Sequence, residues 1–505
     1  MEHLVELVQI INKRKLSQID VFDKSLISRK DTLFAKFYNG IAEGKISNDK
    51  EAIKYIYGTA AESTNYRKLK SRFKERLLNT LYFIDINHTT ESDYSKKAYF
   101  DCTNRLYLSN ILLRYAENRN ASIQLIIDSY ATAKKNNFFD ILKEYSYKLL
   151  VHYGMNGEEK KYNAAYLAYT QYAREYEYEQ QAQLIYTKVL MTVHYSKKTL
   201  AEKEKEIKHN TEEILRITKE AKSLVVYFIY IRTLLFYFEI LGDNKKINDT
   251  CDTYLKQYKK YYSSILSENY LNTIYIYKLK SLFDMRLAAD GLKLTENILP
   301  AAKGLSYLAV KEFEVKLILN NIDNKKDVRE IIHQLQNNTF YKQANTALKE
   351  RWFVYLAYAE FLHHYNTNGN YKFSLAKFAN DTPTIFQDKS GFNLAARIVS
   401  ILFYIGRNDL DNAAQSIEAL RIYQTRHLKD NSNLRSNLFI KLLSAMEKKS
   451  FNYKELRNLR EHVLLKENFE RQILHEAEII FYDNLWEILL AILKENDTKV
   501  IKNLR

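Results

Sequence analysis

Gly391–Tyr423 reads GFNLAARIVSILFYIGRNDLDNAAQSIEALRIY, and its two halves decide the fold. Up to Ile405 the residues are apolar nearly throughout. Gly406-Arg407-Asn408-Asp409 then breaks the run. Beyond it, Ala413, Ile417 and Leu420 return at helical spacing among polar residues. A glycine can take the left-handed conformation that closes a helix, and a following Asn or Asp can cap the next one. The stretch is therefore read as two helices joined by a tight turn.

The same break occurs at Tyr153–Gly157 and at Leu241–Asn244. Gly154, Gly242 and Gly406 stand about two and four steps of roughly 41–44 residues apart, the length of two helices of four to five turns plus loops. Further breaks are expected near Glu117–Asn120, Tyr195–Lys198, Ala289–Gly291, Asn320–Asn324, Tyr365–Asn370 and Lys448–Asn452. In 505 residues there are only two prolines, Pro300 and Pro383, and eleven glycines. Average usage is about 5% and 7%, so strand-and-turn architectures are disfavoured. The expectation is an all-α fold, a right-handed α-solenoid of about nine helix hairpins over residues 91–470.

Two terminal segments read differently. Residues 1–90 are expected to form an N-terminal helical module. Asp31 and Ser47 or Asn48 are its plausible N-caps, and Asn65–Ile86 is one long helix carrying Leu69, Phe73, Leu77, Leu81 and Ile84 on its apolar side. Residues 471–505 are expected to close the core, with apolar Glu476–Leu493 as the capping helix.

Gly391–Tyr423 resembles tetratricopeptide-like helical repeats. Ser400 takes the small position of the first helix with Phe403 one turn on, and Ala413 takes that of the second, followed by Ile417 and Leu420. Phe138–Tyr176 is a looser match through Ser146 and Ala164-Ala165. The period is longer than the usual 34, the Trp-Leu-Gly-Tyr set is missing and so is the closing proline. The resemblance covers residues 93–470 as an architecture. It implies a concave groove that binds a peptide or partner protein.

Composition bounds the function. Cys102 and Cys251 are too few for a disulfide framework or a cysteine zinc site and point to a reducing compartment. Met1–Lys15, MEHLVELVQIINKRK, places acidic residues before its basic ones, the reverse of a signal peptide. A cytoplasmic protein is expected. Leu224–Leu241, LVVYFIYIRTLLFYFEIL, has nearly the length of a membrane span, but Arg232 at its centre would cost about 2.5–3.5 kcal/mol in a bilayer. It is read as a helix buried between neighbours, with no membrane partner. Thr199–Lys222 is read as a solvated helix rich in Glu/Lys pairs. The formal charge of +16 favours an acidic partner or nucleic acid, although abundant Lys, Asn, Ile and Tyr also follow from AT-rich codons.

No enzymatic motif is complete. Gly40-x-x-x-Gly44-Lys45 lacks the spacing and the Ser/Thr of a phosphate loop. His475-Glu476 lacks a second histidine, because position 479 is Ile. His363 and His364 are adjacent and point about 100° apart on a helix. No catalytic residue, cofactor or metal ligand is assigned. The candidate binding residues are basic and aromatic. Arg67, Lys70, Arg72, Lys74 and Arg76 crowd one helix, opposite Leu69, Phe73 and Leu77. Tyr254, Tyr258 and Lys259 interleave rings with charge, and Arg421, Arg426 and Arg435 form a third group. Each has a plainer reading, as a solvated face or as core tyrosine. The leading expectation is a non-enzymatic scaffold or adaptor that binds a protein partner. The alternatives are a nucleic-acid-binding repeat protein and an enzyme whose site is unrecognised.

Overall fold

The computed structural model describes residues 32–58, 64–81, 94–115, 119–196, 198–258, 268–321, 326–387, 391–427, 434–467 and 477–503. These residues form 24 helices and no strand. The chain divides into two compact units, Met1–Arg174 and Glu175–Arg505.

In the first unit, α1 (Leu33–Ala42), α2 (Asp49–Tyr57) and α3 (Thr64–Leu81) enclose a small core of their own. The Phe37 and Phe73 rings stack in it at 4.4 Å. Asp31 lies outside the described residues, and Thr32 caps α1. Asn48 caps α2 by accepting from the Glu51 N–H, while the Glu51 carboxylate accepts from the Ser47 N–H at 2.7 Å. This reciprocal pair satisfies donors that a helix start leaves open. The apolar march along α3 stops at Leu77: Leu81 is 59% exposed, and Ile84 is outside the described residues. Next come α4 (Tyr94–Tyr115), α5 (Arg119–Lys135) and α6 (Phe139–Met155), each packed on the next, with α4 also touching α6. Their seam holds a buried polar chain. Ser129 Oγ donates to Tyr145 Oη at 2.8 Å, and Tyr145 donates to the Cys102 carbonyl at 2.7 Å. The division between the units falls within α7 (Glu159–His194).

The second unit continues with α8 (Leu200–Glu220), α9 (Leu224–Leu241), α10 (Asn244–Gln257), α11 (Glu268–Asp284), α12 (Ala288–Ile298) and α13 (Gly304–Leu319). From α8 to α13 each helix packs on the one that follows it. Then come α14 (Val328–Gln336), α15 (Thr339–Gln343), α16 (Thr346–Asn366), α17 (Leu375–Asp381), α18 (Pro383–Gln387), α19 (Gly391–Gly406) and α20 (Leu410–His427). The unit closes with α21 (Leu434–Lys448), α22 (Tyr453–Leu456), α23 (Arg460–Glu467) and α24 (Tyr482–Asn503). A second set of contacts skips elements: α11 on α13, α13 on α16, α16 on α19 and α19 on α24.

α19 is apolar over most of its surface because it is covered by α16, α18, α20 and α24, and its polar residues Asn393, Arg397 and Ser400 share one face. The core around it holds Trp352, Phe361, Phe403, Phe439 and Trp486, all at most 1% exposed. Burying one such aliphatic or phenyl side chain is worth roughly 1.5–3 kcal/mol. α9 is long and apolar enough to cross a membrane by length and composition. Here it places Val226, Phe228, Ile229, Ile231, Leu235 and Phe236 in protein cores. α8 carries the expected charged face and starts on a capping box between Thr199 and Glu202.

The turns correct the reading of the glycines. Gly242 does close α9 in the left-handed conformation, and Asp243 caps α10 through the Lys246 N–H. At the other two breaks the left-handed residues are Gly157 and Asn408. Gly154 and Gly406 sit in the last turns of α6 and α19 and serve close packing instead. A Cβ on Gly406 would lie 2.7 Å from Tyr371 Cδ1, and one on Gly154 3.2 Å from Tyr162 Cδ2. The expected break at Ala289–Gly291 is also displaced. The chain turns at Met285–Leu287, with Arg286 at φ 60°, and Gly291 lies inside α12 against Leu317.

The C-terminal segment differs as well. Glu476 lies outside the described residues, and Ala477–Phe481 is not helical, so the helix begins only at Tyr482. Ile479, Ile480 and Phe481 are nonetheless buried. The Asn320 amide holds this strap at both ends of its reach. It donates to the Ile479 carbonyl and accepts from the Phe481 N–H, each at 2.8 Å.

Gly406→Ala should destabilise the second unit by about 1–3 kcal/mol, because the Tyr371 ring that the new methyl meets is rigid and packed. Urea denaturation of the full chain, read by circular dichroism, measures it. A gain in stability of the size expected from helix propensity alone would contradict this packing role.

Candidate functional site

The cationic group on α3 is the most exposed of the three candidate clusters. Tyr66, Leu69 and Phe73 face inward, and this orientation turns Arg67, Lys68, Lys70, Arg72 and Lys74 to solvent. The five differ in their commitments. Lys70 Nζ donates to Asp49 Oδ1 at 2.6 Å, and the same oxygen accepts from Tyr66 Oη at 2.7 Å. That contact ties α3 to the start of α2 and holds the Asp49 carboxyl below its ordinary range. Arg76 is half-buried, with its guanidinium 4.2 Å from the centre of the Phe34 ring. Lys68, Arg72 and Lys74 remain as the outward charges of the row. The structure divides the expected cationic face into structural and outward members.

The second cluster is a core feature. Tyr254 is 0% and Tyr258 6% exposed. Tyr254 packs on Tyr227 and Phe228, at 6.1 and 6.0 Å between ring centres. Neither ring is available to stack on a base or a partner, and this corrects their assignment as binding residues. Lys259 lies outside the described residues.

The third cluster falls apart. Arg421 is bound back to its own helix by two hydrogen bonds to Glu418, at 2.7 and 2.6 Å. Arg426 is exposed in the last turn of α20, where a cation complements the helix carbonyls. Arg435 is 2% exposed and cannot line a groove. Its guanidinium donates to Glu478 at 2.6 Å, to Asp483 at 3.1 Å and to the Leu465 carbonyl at 2.7 Å. Arg286 reaches the same Asp483 oxygen at 2.7 Å. Burial pushes the Asp483 carboxyl up, but the two guanidinium groups outweigh it and hold the group below its ordinary range.

The remaining motifs carry no site. Gly40 is buried against Ile46, and Lys45 is paired with Glu43 at 2.5 Å. His363 and His364 have ring centres 5.9 Å apart. Among the described residues no group of three His, Cys, Asp or Glu side chains is placed to hold a metal ion.

Two features have no signal in the sequence. One is the buried ionic cluster, whose ion-paired partners are 43 to 197 residues apart. Beside it, burial pushes the Asp284 carboxyl up to about 7 against the opposing pull of Lys280 and Lys316. The other is a cavity of about 630 Å³ bounded by α13, α14, α16 and α24. Its wall includes Ile318, Leu362 and Ile488 as well as the polar His363, Asn366 and Glu487.

Arg435→Met should cost about 3–5 kcal/mol, because it leaves Glu478 and Asp483 buried without their cation. Adding Glu478→Gln should recover part of that loss in chemical denaturation, and an equally unstable double variant would contradict the ionic account. Asp284 provides a pH test. Its folded-state pKa is raised, so the folded chain binds the proton more tightly than the unfolded one. Its contribution to stability therefore falls as pH rises from about 4 to about 7 and is level above that. Asp284→Asn should gain on the wild type across that window, as read from melting curves at fixed salt. A pH-independent difference would show that Asp284 is ionised throughout.

No protein-family model, curated protein or solved structure matches this chain.

Proposed function

We propose that this chain is a non-enzymatic scaffold or adaptor that binds a partner protein through stacked helix hairpins. The architecture proposed is a right-handed, tetratricopeptide-like solenoid, and the compartment is the cytoplasm. The observation that carries the reading is the pattern of helix contacts in the second unit. Neighbours in sequence pack as pairs from α8 to α13, and α11, α13, α16, α19 and α24 follow one another in a second row. Repeat stacking generates both kinds of contact, because each hairpin covers the apolar side of the next. Two buried, unpaired cysteines suit a reducing compartment.

The outward row on α3 supplies a contact surface of defined chemistry. Lys68, Arg72 and Lys74 present positive charge from a rigid helix, which favours an acidic partner. The same charge would suit nucleic acid phosphates, so the test must separate the two. The experiment is affinity purification of the tagged full chain from its native host, with and without nuclease. Arg72→Glu with Lys74→Glu is the altered arm. Arg76 is left alone because it stacks on Phe34.

A protein partner should survive nuclease treatment, and its recovery should fall about tenfold in the charge-reversed variant while the helical circular dichroism is unchanged. Undiminished recovery would sink the role of α3. Loss of all partners on nuclease treatment would replace the protein reading with the nucleic-acid one.

A further inference from the structure

Side chains of α7, α9 and α11 pack around a cation that the ionic pairing of the second unit does not use. Arg232, at the centre of α9, is half-buried. Its guanidinium carbon lies 4.7 Å from the centre of the Tyr186 ring and 5.7 Å from that of Phe228. Its Nε is buried and has no hydrogen-bond acceptor, and among the described residues no carboxylate pairs with it. Neighbouring cations differ. Lys280 pairs with Glu239 and Lys278 with Asp252. The Glu179 carboxylate is also engaged, accepting from Ser223 Oγ at 2.5 Å.

Beside Arg232 stands a second unused donor. Tyr186 is 3% exposed, and its hydroxyl has no partner. Burial raises its phenol pKa against the opposing effect of Arg232, so the hydroxyl keeps a proton that it can donate. Aromatic walls surround the pair: Phe236 lies 6.2 Å from Tyr186 and 6.1 Å from Tyr277, and Phe228 lies 4.3 Å from Tyr270, between ring centres. Cation–π contact offsets part of the cost of desolvating the guanidinium, but it satisfies no N–H.

We propose that Arg232 and Tyr186 form a carboxylate-binding site between α7 and α9. Two adjacent donors and one positive charge match an acceptor-only monoanion, and water-poor aromatic walls strengthen a charge-assisted hydrogen bond there. One guanidinium does not balance a phosphate dianion. The carboxylate comes from an acidic side chain of a bound polypeptide or from a small free acid. The polypeptide source rests on the partner-binding reading above, whereas the site itself does not.

The test uses the full chain and acetate as the probe. Melting temperature is measured in sodium acetate and in sodium chloride at equal ionic strength, for the wild type, Arg232→Met and Tyr186→Phe. Acetate near tenfold its Kd should raise the wild-type value by about 1–2 °C over chloride. The shift should vanish in Arg232→Met and shrink in Tyr186→Phe. If Arg232→Met does not fold, Arg232→Lys replaces it; it keeps the charge but loses the paired N–H geometry, and its shift should fall by at least half.

An equal shift in wild type and Arg232→Met, or no shift in the wild type, overturns the site and leaves Arg232 as a structural cation–π residue. N-acetyl-Gly-Glu-Gly-amide then distinguishes the sources. A full shift at a concentration at least tenfold lower than acetate assigns a polypeptide, and a shift only at matching concentration assigns a free acid. Failure of partner capture with the acetate shift intact would refute the partner-binding reading alone. Loss of the shift with capture intact would refute this site alone.

Discussion

The second unit depends on one buried charge cluster. Arg435 sits on α21, Arg286 on the turn before α12, and both converge on Asp483 at the start of α24, with Glu478 in the strap before it. Each group would be prohibitive to bury alone. Together they fix where three distant parts of the chain meet. The strap 477–481 has no helix to satisfy its backbone, and it stays inside the protein because the Asn320 amide donates to and accepts from that backbone while the Glu478 carboxylate accepts from the Tyr482 N–H. With the strap held, Trp486 and Leu489 of α24 can cover α19.

That arrangement explains why α19 is so apolar. A helix with a solvated side must carry polar residues there, as α20 does. α19 is enclosed by the helices before it and by α24, which arrives from the far end of the sequence. Its apolar content records this closure. The same logic separates the two tyrosine populations. Tyr254 and Tyr258 are absorbed into the core between α9 and α10, whereas Tyr186, also in a core, has its ring face against the Arg232 guanidinium.

The candidate residues show how far one-dimensional reasoning reaches. Periodicity placed Leu69 and Phe73 inward and so placed Arg67, Lys70, Arg72 and Lys74 outward, because a helix allows no other result. It could not tell that Lys70 is held by Asp49 and Arg76 by Phe34, since both partners belong to other helices. Arg421, Arg426 and Arg435 looked alike in sequence, and the structure puts them in three different environments. Gly154 and Gly406 were legible as marks of a helix end. Their role was not, because the Tyr371 ring that leaves no room at Gly406 and the Tyr162 ring that crowds Gly154 lie outside those helices.

The sequence by itself determined what depends on near neighbours. That includes the all-helical content, most turn positions, the caps at Asn48, Thr199 and Asp243, and the inward faces of individual helices. Hydrogen bonds and side-chain spacing within a few residues are enough for these. Tertiary structure alone decided which charges are paired, which are buried and which reach solvent, where the chain divides, and how Ala477–Phe481 is held without helix. Those outcomes depend on groups brought together across tens to hundreds of residues, where electrostatics and packing act on distance in space and not on order along the chain.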